Sequence, residues 1–338
     1  MEFDTAPLGA WLARHVPGFH GPFTLDRLSG GQSNPTYRIR AASGDLVLRR
    51  KPDGKLLPSA HAVDREYRVI GALQAAGLPA PRVHGYCDDP GVLPTPFFVM
   101  EFVEGRIFFD PRLPGLPREE RGALFDAMND TLARLHSLDP AAIGLGDYGR
   151  PGNYMARQIE RWTKQYRASE TGRIEAMERL IAWLPERLAA ADDPAVSVVH
   201  GDCRMDNLVF HPTEPRVVAV LDWELSTLGS PLADFAYNAM AWRIPPGLFR
   251  GLAGSDLAAL GIPAEEDYVA AYCRRTGRAG FPALDFYVAF NLFRLAAIMQ
   301  GIARRVLDGT AAGEDAEANG KLARPIAELG WEQAQRAA

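Results

Sequence analysis

The residues best suited to chemistry in this 338-residue chain crowd into one short stretch. Val198-Val199-His200-Gly201-Asp202-Cys203-Arg204-Met205-Asp206-Asn207-Leu208-Val209-Phe210 is followed by turn-like residues 211 to 216 and then by Val217-Val218-Ala219-Val220-Leu221-Asp222-Trp223-Glu224. The two apolar runs read as a hairpin. Folded about its midpoint, between Glu214 and Pro215, it sets Asn207 opposite Asp222. Directly opposed residues bring their Cβ atoms to about 5 Å. An amide oxygen and a carboxylate at that separation can share a hard cation such as Mg2+. A register slip of one residue would turn one side chain to the other face. Asp202, in the loop entering the hairpin, is a separate carboxylate able to accept a hydroxyl proton. Taken singly, such residues have a plainer role as turn formers and caps. A metallophosphoesterase would use the same carboxylates with several histidines, and only His200 and His211 lie here.

His200-x-Asp202-x-x-x-x-Asn207 followed by a metal-binding Asp is the arrangement that kinases use. With Leu221-Asp222-Trp223-Glu224 it resembles the aminoglycoside phosphotransferase and choline kinase family of kinase-like enzymes. It is closest to the branch related to, or fused with, acyl-CoA dehydrogenases, through Arg157-Gln158-x-x-Arg161-Trp162. Gly229-Ser230-Pro231-Leu232-Ala233-Asp234-Phe235-Ala236 is similar to the family's G-D-P-x-x-D-L-A element, with Ser230 in place of its first Asp. The resemblance covers most of the chain. It implies an α+β, two-lobed protein-kinase-like fold with a small, mainly antiparallel β N-lobe and a larger, mainly helical C-lobe. It also implies Mg2+-dependent transfer of the γ-phosphoryl group of ATP or GTP to a small-molecule hydroxyl. Asp202 would be the catalytic base, Asn207 and Asp222 the Mg2+ ligands, and Asp234 a brace for the catalytic loop. A helix N-cap is the plainer role for Asp234. His200 is expected to anchor the loop by hydrogen bonds, and Cys203 to pack rather than react. Gly201 replaces the Arg of H-R-D, Asp222-Trp223-Glu224 replaces D-F-G, and no A-P-E follows. These departures from protein kinases favour a small-molecule kinase that is always assembled.

Such residues need elements to hold them. Leu8, Trp11, Leu12 and Val16 have helical spacing. Phe23–Leu28, Tyr37–Arg40 and Leu46–Arg49 read as strands, the last two joined at Ser43-Gly44. A helix should run from about Ser59 to Ala76, stopped by Gly77 and Pro79. Val83–Tyr86 and Phe97–Phe102 are further strands. After Gly105 the helical period dominates, apart from the island at 196–222. The natural boundary is Glu104-Gly105, giving a nucleotide-binding lobe at 1–104 and a helical lobe at 105–338 with the catalytic loop and acceptor site.

Within the first lobe, Gly30-Gly31-Gln32-Ser33-Asn34 joins two strands. Glycines there let free N–H groups approach phosphates, although Gly-Gly is also an ordinary turn. Arg49 is the expected phosphate-side cation on the third strand, with Lys51 in reserve. On the following helix Glu66 falls inside the apolar arc of Val63, Ile70 and Leu73, where a carboxylate needs a cation. The resemblance places adenine against backbone groups at Glu101 and Val103, with Met100 behind it. In the second lobe Arg157, Arg161 and Lys164 lie opposite the stripe Met155, Ile159, Trp162 and Tyr166. That is either a solvated face or a basic wall for an anionic acceptor.

Composition narrows the field. Lys+Arg is 37 and Asp+Glu 42, a net charge of −5, so no general attraction to nucleic acid or anionic membrane is expected. Hydrophobic residues at 47% and charged residues at 23% are the usual globular mix. The three cysteines, Cys87, Cys203 and Cys273, form no C-x-x-C pair, and a reducing, cytoplasmic compartment fits them. Met1-Glu2-Phe3-Asp4 does not read as a secretory signal. No uncharged apolar run reaches the ~20 residues of a membrane span, Arg294 breaking the best candidate. The expected acceptor is a hydroxyl on an anionic metabolite, with a hydroxyacyl-CoA among the candidates. An aminoglycoside or choline-type kinase is the alternative, and a non-catalytic nucleotide-binding module is the alternative of another class.

Overall fold

The computed structural model describes residues 4–28, 34–54, 61–150, 152–191, 193–311 and 315–337. The chain opens with α1 (Ala6–His15), whose first turn is capped by Asp4 Oδ1 accepting from Ala6 N–H at 2.9 Å. Then come β1 (Phe23–Arg27), β2 (Thr36–Ala41), β3 (Leu46–Arg50), α2 (Val63–Ala75), β4 (Val83–Cys87) and β5 (Phe97–Glu101). The strands form one antiparallel sheet in the order β1-β2-β3-β5-β4. Period-two alternation gives the sheet two apolar faces. Leu46, Leu48, Phe97 and Val99 pack with Leu8, Trp11 and Leu12 of α1. Val47, Phe98 and Met100 pack with Val63, Val69, Ile70 and Leu73 of α2. Those four buried aliphatic residues contribute about 1.5–3 kcal/mol each, enough to carry one buried carboxylate on the same face if it is paired. The helix begins later than the expected Ser59. His61, two residues before it, has a left-handed φ of 59°, which no α-helix accommodates.

The helical lobe contains α3 (Arg118–Ser137), α4 (Tyr154–Ser169) and α5 (Glu175–Glu186). The island follows, as β6 (Ser197–Val199), β7 (Leu208–Phe210), β8 (Val217–Val220) and β9 (Thr227–Gly229). The chain continues through α6 (Pro231–Ala239), α7 (Leu257–Leu260), α8 (Glu265–Thr276), α9 (Leu284–Leu307), α10 (Ala316–Lys321) and α11 (Ala323–Arg336). β7 pairs with β8 as the expected hairpin, while β6 pairs with β9. Strand β9 carried no sequence signal, because three residues ending in glycine show no period. Helix α9 has the length and hydropathy to cross a membrane, yet most of its apolar window is buried. Its neighbours α4, α6, α10 and α11 surround it as the centre of this lobe.

One close approach ties the lobes. Arg106 bridges to Phe210, so the chain leaving β5 lies against the hairpin. A side chain at Gly105 would collide with the Phe210 carbonyl and the Val209 side chain, so glycine is required there.

Candidate active site

The loop between β6 and β7 is held by its backbone. Asp234, in the first turn of α6, accepts from His200 N–H at 2.7 Å and Gly201 N–H at 2.8 Å, and its Oδ2 lies 3.1 Å from His136 Nε2. Burial opposes its charge, but these partners hold the carboxyl below the usual range. The N-cap of α6 is Ser230, whose Oγ accepts from Ala233 N–H, so Asp234 braces the loop rather than caps the helix. Gly201 has φ 84°, and a Cβ there would meet the Leu225 carbonyl at 2.9 Å. The arginine of H-R-D cannot be accommodated in this loop. His200 Nδ1 accepts from Asp202 N–H at 3.1 Å, so Nε2 carries the proton and donates to Leu221 O at 2.8 Å. Cys203 is buried, which pushes its thiol well up and keeps it unreactive.

Asp202 is clamped from three directions. Its Oδ1 accepts from the Tyr237 hydroxyl at 2.5 Å, and its Oδ2 from Asn207 Nδ2 at 3.2 Å. The Arg204 guanidinium lies 3.1 Å from each oxygen. Burial and the Asp202 charge push the Tyr237 phenol up, so it stays a donor. Asn207 Nδ2 also donates to the Asp202 carbonyl at 2.8 Å, which turns its Oδ1 away from the Asp202 carboxylate. The hairpin register differs from the expected one by a residue. Leu208 pairs with Val220, and Leu221 N–H donates to Asn207 O at 2.8 Å, so Asn207 faces Leu221 rather than Asp222. The turn closes Phe210 on Val217, two residues from the expected register, and a bulge in the ladder at Val209/Phe210 brings the pairing back by one. Asp222 departs from the strand in a left-handed conformation, φ 63° and ψ 62°. That backbone is uncommon outside glycine, and it aims the carboxylate at β3.

There Asp222 meets the first lobe. Arg49 NH2 donates to Asp222 Oδ1 at 2.8 Å, its Nε lies 2.7 Å from Glu66 Oε2, and Glu224 Oε2 is 3.5 Å away. Arg49, not Lys51, is therefore the cation that joins α2 to the Asp222 turn. Glu66 is 2% exposed. Burial, with the charges of Asp222 and Glu224, raises its pKa to about 7 against the pull of Arg49. Asn34 was expected beside phosphate. Its side chain is instead taken up by Glu66, Nδ2 donating to Oε1 at 2.7 Å, and by His61 Nδ1 at 2.9 Å from its Oδ1. Gly30, Gly31 and Ser33 lie outside the described residues. One guanidinium stands here among three carboxylates, leaving more carboxylate than cation at this point. At the interlobe strand Met100 is buried beside Val47, and Glu101 N–H is used by Arg82 O at 2.8 Å. Among the described residues no acceptor is recorded for Val103 N–H.

The opposite flank of Asp202 is rich in arginine. A small pocket is lined by Phe109, Phe125, Trp242 and Phe249, with Arg204 and Arg250 among its polar groups. Arg250 donates to Asp206, which Arg204 also approaches at 3.6 Å. Of the three cations expected to form a wall, Lys164 pairs with Glu160 at 2.6 Å on the surface. Arg157 donates to the carbonyls of Gly152 and Arg150. Only Arg161 keeps its guanidinium uncommitted among the described residues, stacked 5.3 Å from the Trp162 ring centroid. Sequence reasoning missed Tyr237, Arg204, Arg250 and Arg294. Tyr237 had a signal, since it follows Asp234 by three residues and so shares its helix face.

A five-stranded antiparallel lobe, a helical lobe and a clamped Asp202 facing an Arg49–Glu66–Asp222 chain define a kinase-like phosphotransferase, a class that acts on hydroxyl groups. The chain belongs to the phosphotransferase enzyme family, whose pattern matches residues 24–287. It is 49% identical over 318 residues to acyl-CoA dehydrogenase family member 10 of Mus musculus. That match covers 94% of this chain but 30% of the relative, so the chain spans under a third of that longer protein. A solved Ralstonia eutropha protein, provisionally described as an aminoglycoside phosphotransferase, is 51% identical with a TM-score of 0.90, covering 99% of both chains. A thermostable mutant of an aminoglycoside phosphotransferase, solved with AMP-PNP and hygromycin B, has a TM-score of 0.60 at 16% identity. It covers 97% of this chain and 99% of its own, a likeness of fold.

Proposed function

We propose that the protein transfers the γ-phosphoryl group of ATP to a hydroxyl of an anionic small molecule, with a hydroxyacyl-CoA as the first acceptor to test. The observation that carries this is the paired geometry of the cleft: Asp202 fixed by Tyr237, Asn207 and Arg204 on one side, Asp222 fixed by Arg49 on the other. In this reading Asp202 accepts the acceptor's hydroxyl proton. Asn207 and Asp222 would hold Mg2+, which when bound neutralises phosphate charge. Arg204, already against the base, would offset the charge that develops on the transferred group. Glu66 keeps Arg49 aimed at the cleft, so no activation step is needed to assemble it. Val103 N–H and the Glu101 carbonyl would take the adenine edge, at the seam between 1–104 and 105–338. The fold neighbour solved with AMP-PNP favours ATP over GTP as donor. All three cysteines are free and buried, in keeping with a reducing, cytoplasmic site of action.

The Ralstonia protein's description favours a second reading, an aminoglycoside acceptor. A polycation would have to approach Asp202 past Arg204 and Arg250, which argues against it. The test is phosphate transfer from ATP or GTP with Mg2+ across hydroxyacyl-CoAs, hydroxy acids, aminoglycosides and choline. Transfer to the anionic acceptors is expected. Transfer to aminoglycosides alone would replace the acceptor assignment, and nucleotide binding without transfer to any of them would point to a non-catalytic module.

A further inference from the structure

Other buried arginines among the described residues have carboxylate partners: Arg49 has Glu66 and Arg50 has Asp53. Arg294 does not. It is 6% exposed in the middle of α9, its guanidinium carbon 4.9 Å from the Tyr237 ring centroid and 5.3 Å from that of Trp162. It donates to the Gly201 carbonyl, one residue before the base, and its Nε is buried without an acceptor. Among the described residues no carboxylate lies within ion-pair reach of it. Arg161 reaches the same Trp162 ring from α4, also at 5.3 Å, and it too has no carboxylate partner among the described residues. Arg161 is exposed as a residue on α4, with its guanidinium partly covered by the surrounding protein. Two cations therefore share one indole beside the catalytic loop with no counter-charge. A buried charge in that condition is costly unless something pairs with it. Partial burial, and then the like charge of Arg294, draw the Arg161 pKa down against the opposing pull of Tyr154.

We propose that Arg161 and Arg294 form the seat for an oxyanion of the acceptor, a carboxylate or a phosphate held beside Gly201 while the acceptor's hydroxyl reaches Asp202. Arg161, being exposed, makes the direct contact. Arg294 lies behind it, adding positive potential and fixing the loop through the Gly201 carbonyl. The seat rests on the phosphotransferase reading for the identity of its ligand as the acceptor, but not for its charge.

The test is calorimetric titration of the full chain with Mg2+ and a saturating non-hydrolysable ATP analogue, so that the donor site is filled. Coenzyme A supplies the phosphate arm and 3-hydroxybutyrate the carboxylate arm. At least one should bind the wild type. Arg161→Gln should weaken it roughly tenfold, the scale of one lost charge-assisted hydrogen bond, and Arg161→Lys should recover part of the loss. The arm that responds identifies the oxyanion. The difference between wild type and Arg161→Gln should narrow as salt rises. Unchanged affinity of Arg161→Gln for both probes, or no binding of either by the wild type, overturns the seat. In turnover, an Arg161→Gln enzyme with wild-type KM for its acceptor overturns the seat and leaves the phosphotransferase reading standing. A wild type that transfers phosphate to nothing removes that reading, while the calorimetry still decides whether the anion seat exists.

Discussion

On the β3 and α2 side of the cleft, the Arg49 guanidinium stands among Glu66, Asp222 and Glu224. On the catalytic-loop side, Arg204 and Arg250 share Asp206, and Arg161 and Arg294 share the Trp162 ring. The first region has more carboxylate than cation, the second more cation than carboxylate. A divalent ion would balance one and an anionic acceptor the other. The difference also separates what is general from what is particular. Handling a nucleoside triphosphate needs the same few groups whatever receives the phosphate. An acceptor side has to discriminate, and on the flank of Asp202 where we propose it this chain has arginines and an apolar pocket that no motif specifies.

The sharpest break in the comparison is Asp202→Asn, which removes the proposed base. Turnover should fall about 10²–10⁴-fold with nucleotide affinity kept, the loss expected of a general base. Steady-state rates and nucleotide titration on one preparation check it, and near-normal turnover would remove Asp202 from the role.

Arg49→Ala probes the donor side through stability. It leaves Glu66 buried without its cation and should cost about 3–5 kcal/mol in denaturant unfolding. A loss below ~1 kcal/mol would mean that the pair is not what holds α2 against the Asp222 turn. Tyr237→Phe is milder. Removing one hydrogen bond to a charged carboxylate is worth about 1.5–3 kcal/mol, so kcat should fall roughly tenfold to a hundredfold. Nucleotide KM should stay put, whereas a merely structural tyrosine would move both or neither.

The smallest effect is a pH dependence confined to the donor side. Folded Glu66 keeps its proton to about pH 7, against an ordinary value of 4.5. In that window the unfolded chain binds fewer protons than the folded one, so stability falls as pH rises. The melting temperature of the nucleotide-free protein should therefore drop from pH 4.5 towards 7 relative to Glu66→Gln. Saturating Mg2+ should flatten the drop by offsetting the neighbouring carboxylates. A wild type that runs parallel to Glu66→Gln across that range would show that Arg49 alone balances the site.

Much of the donor and catalytic machinery was legible because it is local or periodic. The spacing His200, Asp202, Asn207 lies within one loop and the strand it feeds. Glu66 betrayed itself as a charge inside an apolar arc. Arg49 is one of a strand's alternating residues. The misreadings share a cause. The hairpin register differs by one because the turn closes Phe210 on Val217, two residues off the midpoint folding, and a bulge then takes one back. Asn34 turned inward because a buried carboxylate nearby needed a donor. The basic face of α4 dissolved into separate contacts because helical spacing says which residues share a side, not what that side faces.

The residue types, their spacing along the catalytic island and the alternation that builds the N-terminal sheet are properties of neighbouring positions, and the sequence by itself determined them. With them came the expectation of a class of chemistry: a base, an oxygen pair for a hard cation, and a paired cation opposite. Which charges meet was decided by tertiary structure alone. Arg49 and Asp222 are 173 residues apart and touch at 2.8 Å. Arg294 comes from a core helix to the carbonyl beside the base, and Tyr237 reaches Asp202 from α6. Contacts of that kind depend on how helices and strands pack in three dimensions, so no short window of sequence carries them. The arginine-rich flank of Asp202, made almost wholly of such contacts, could be read only from the folded chain.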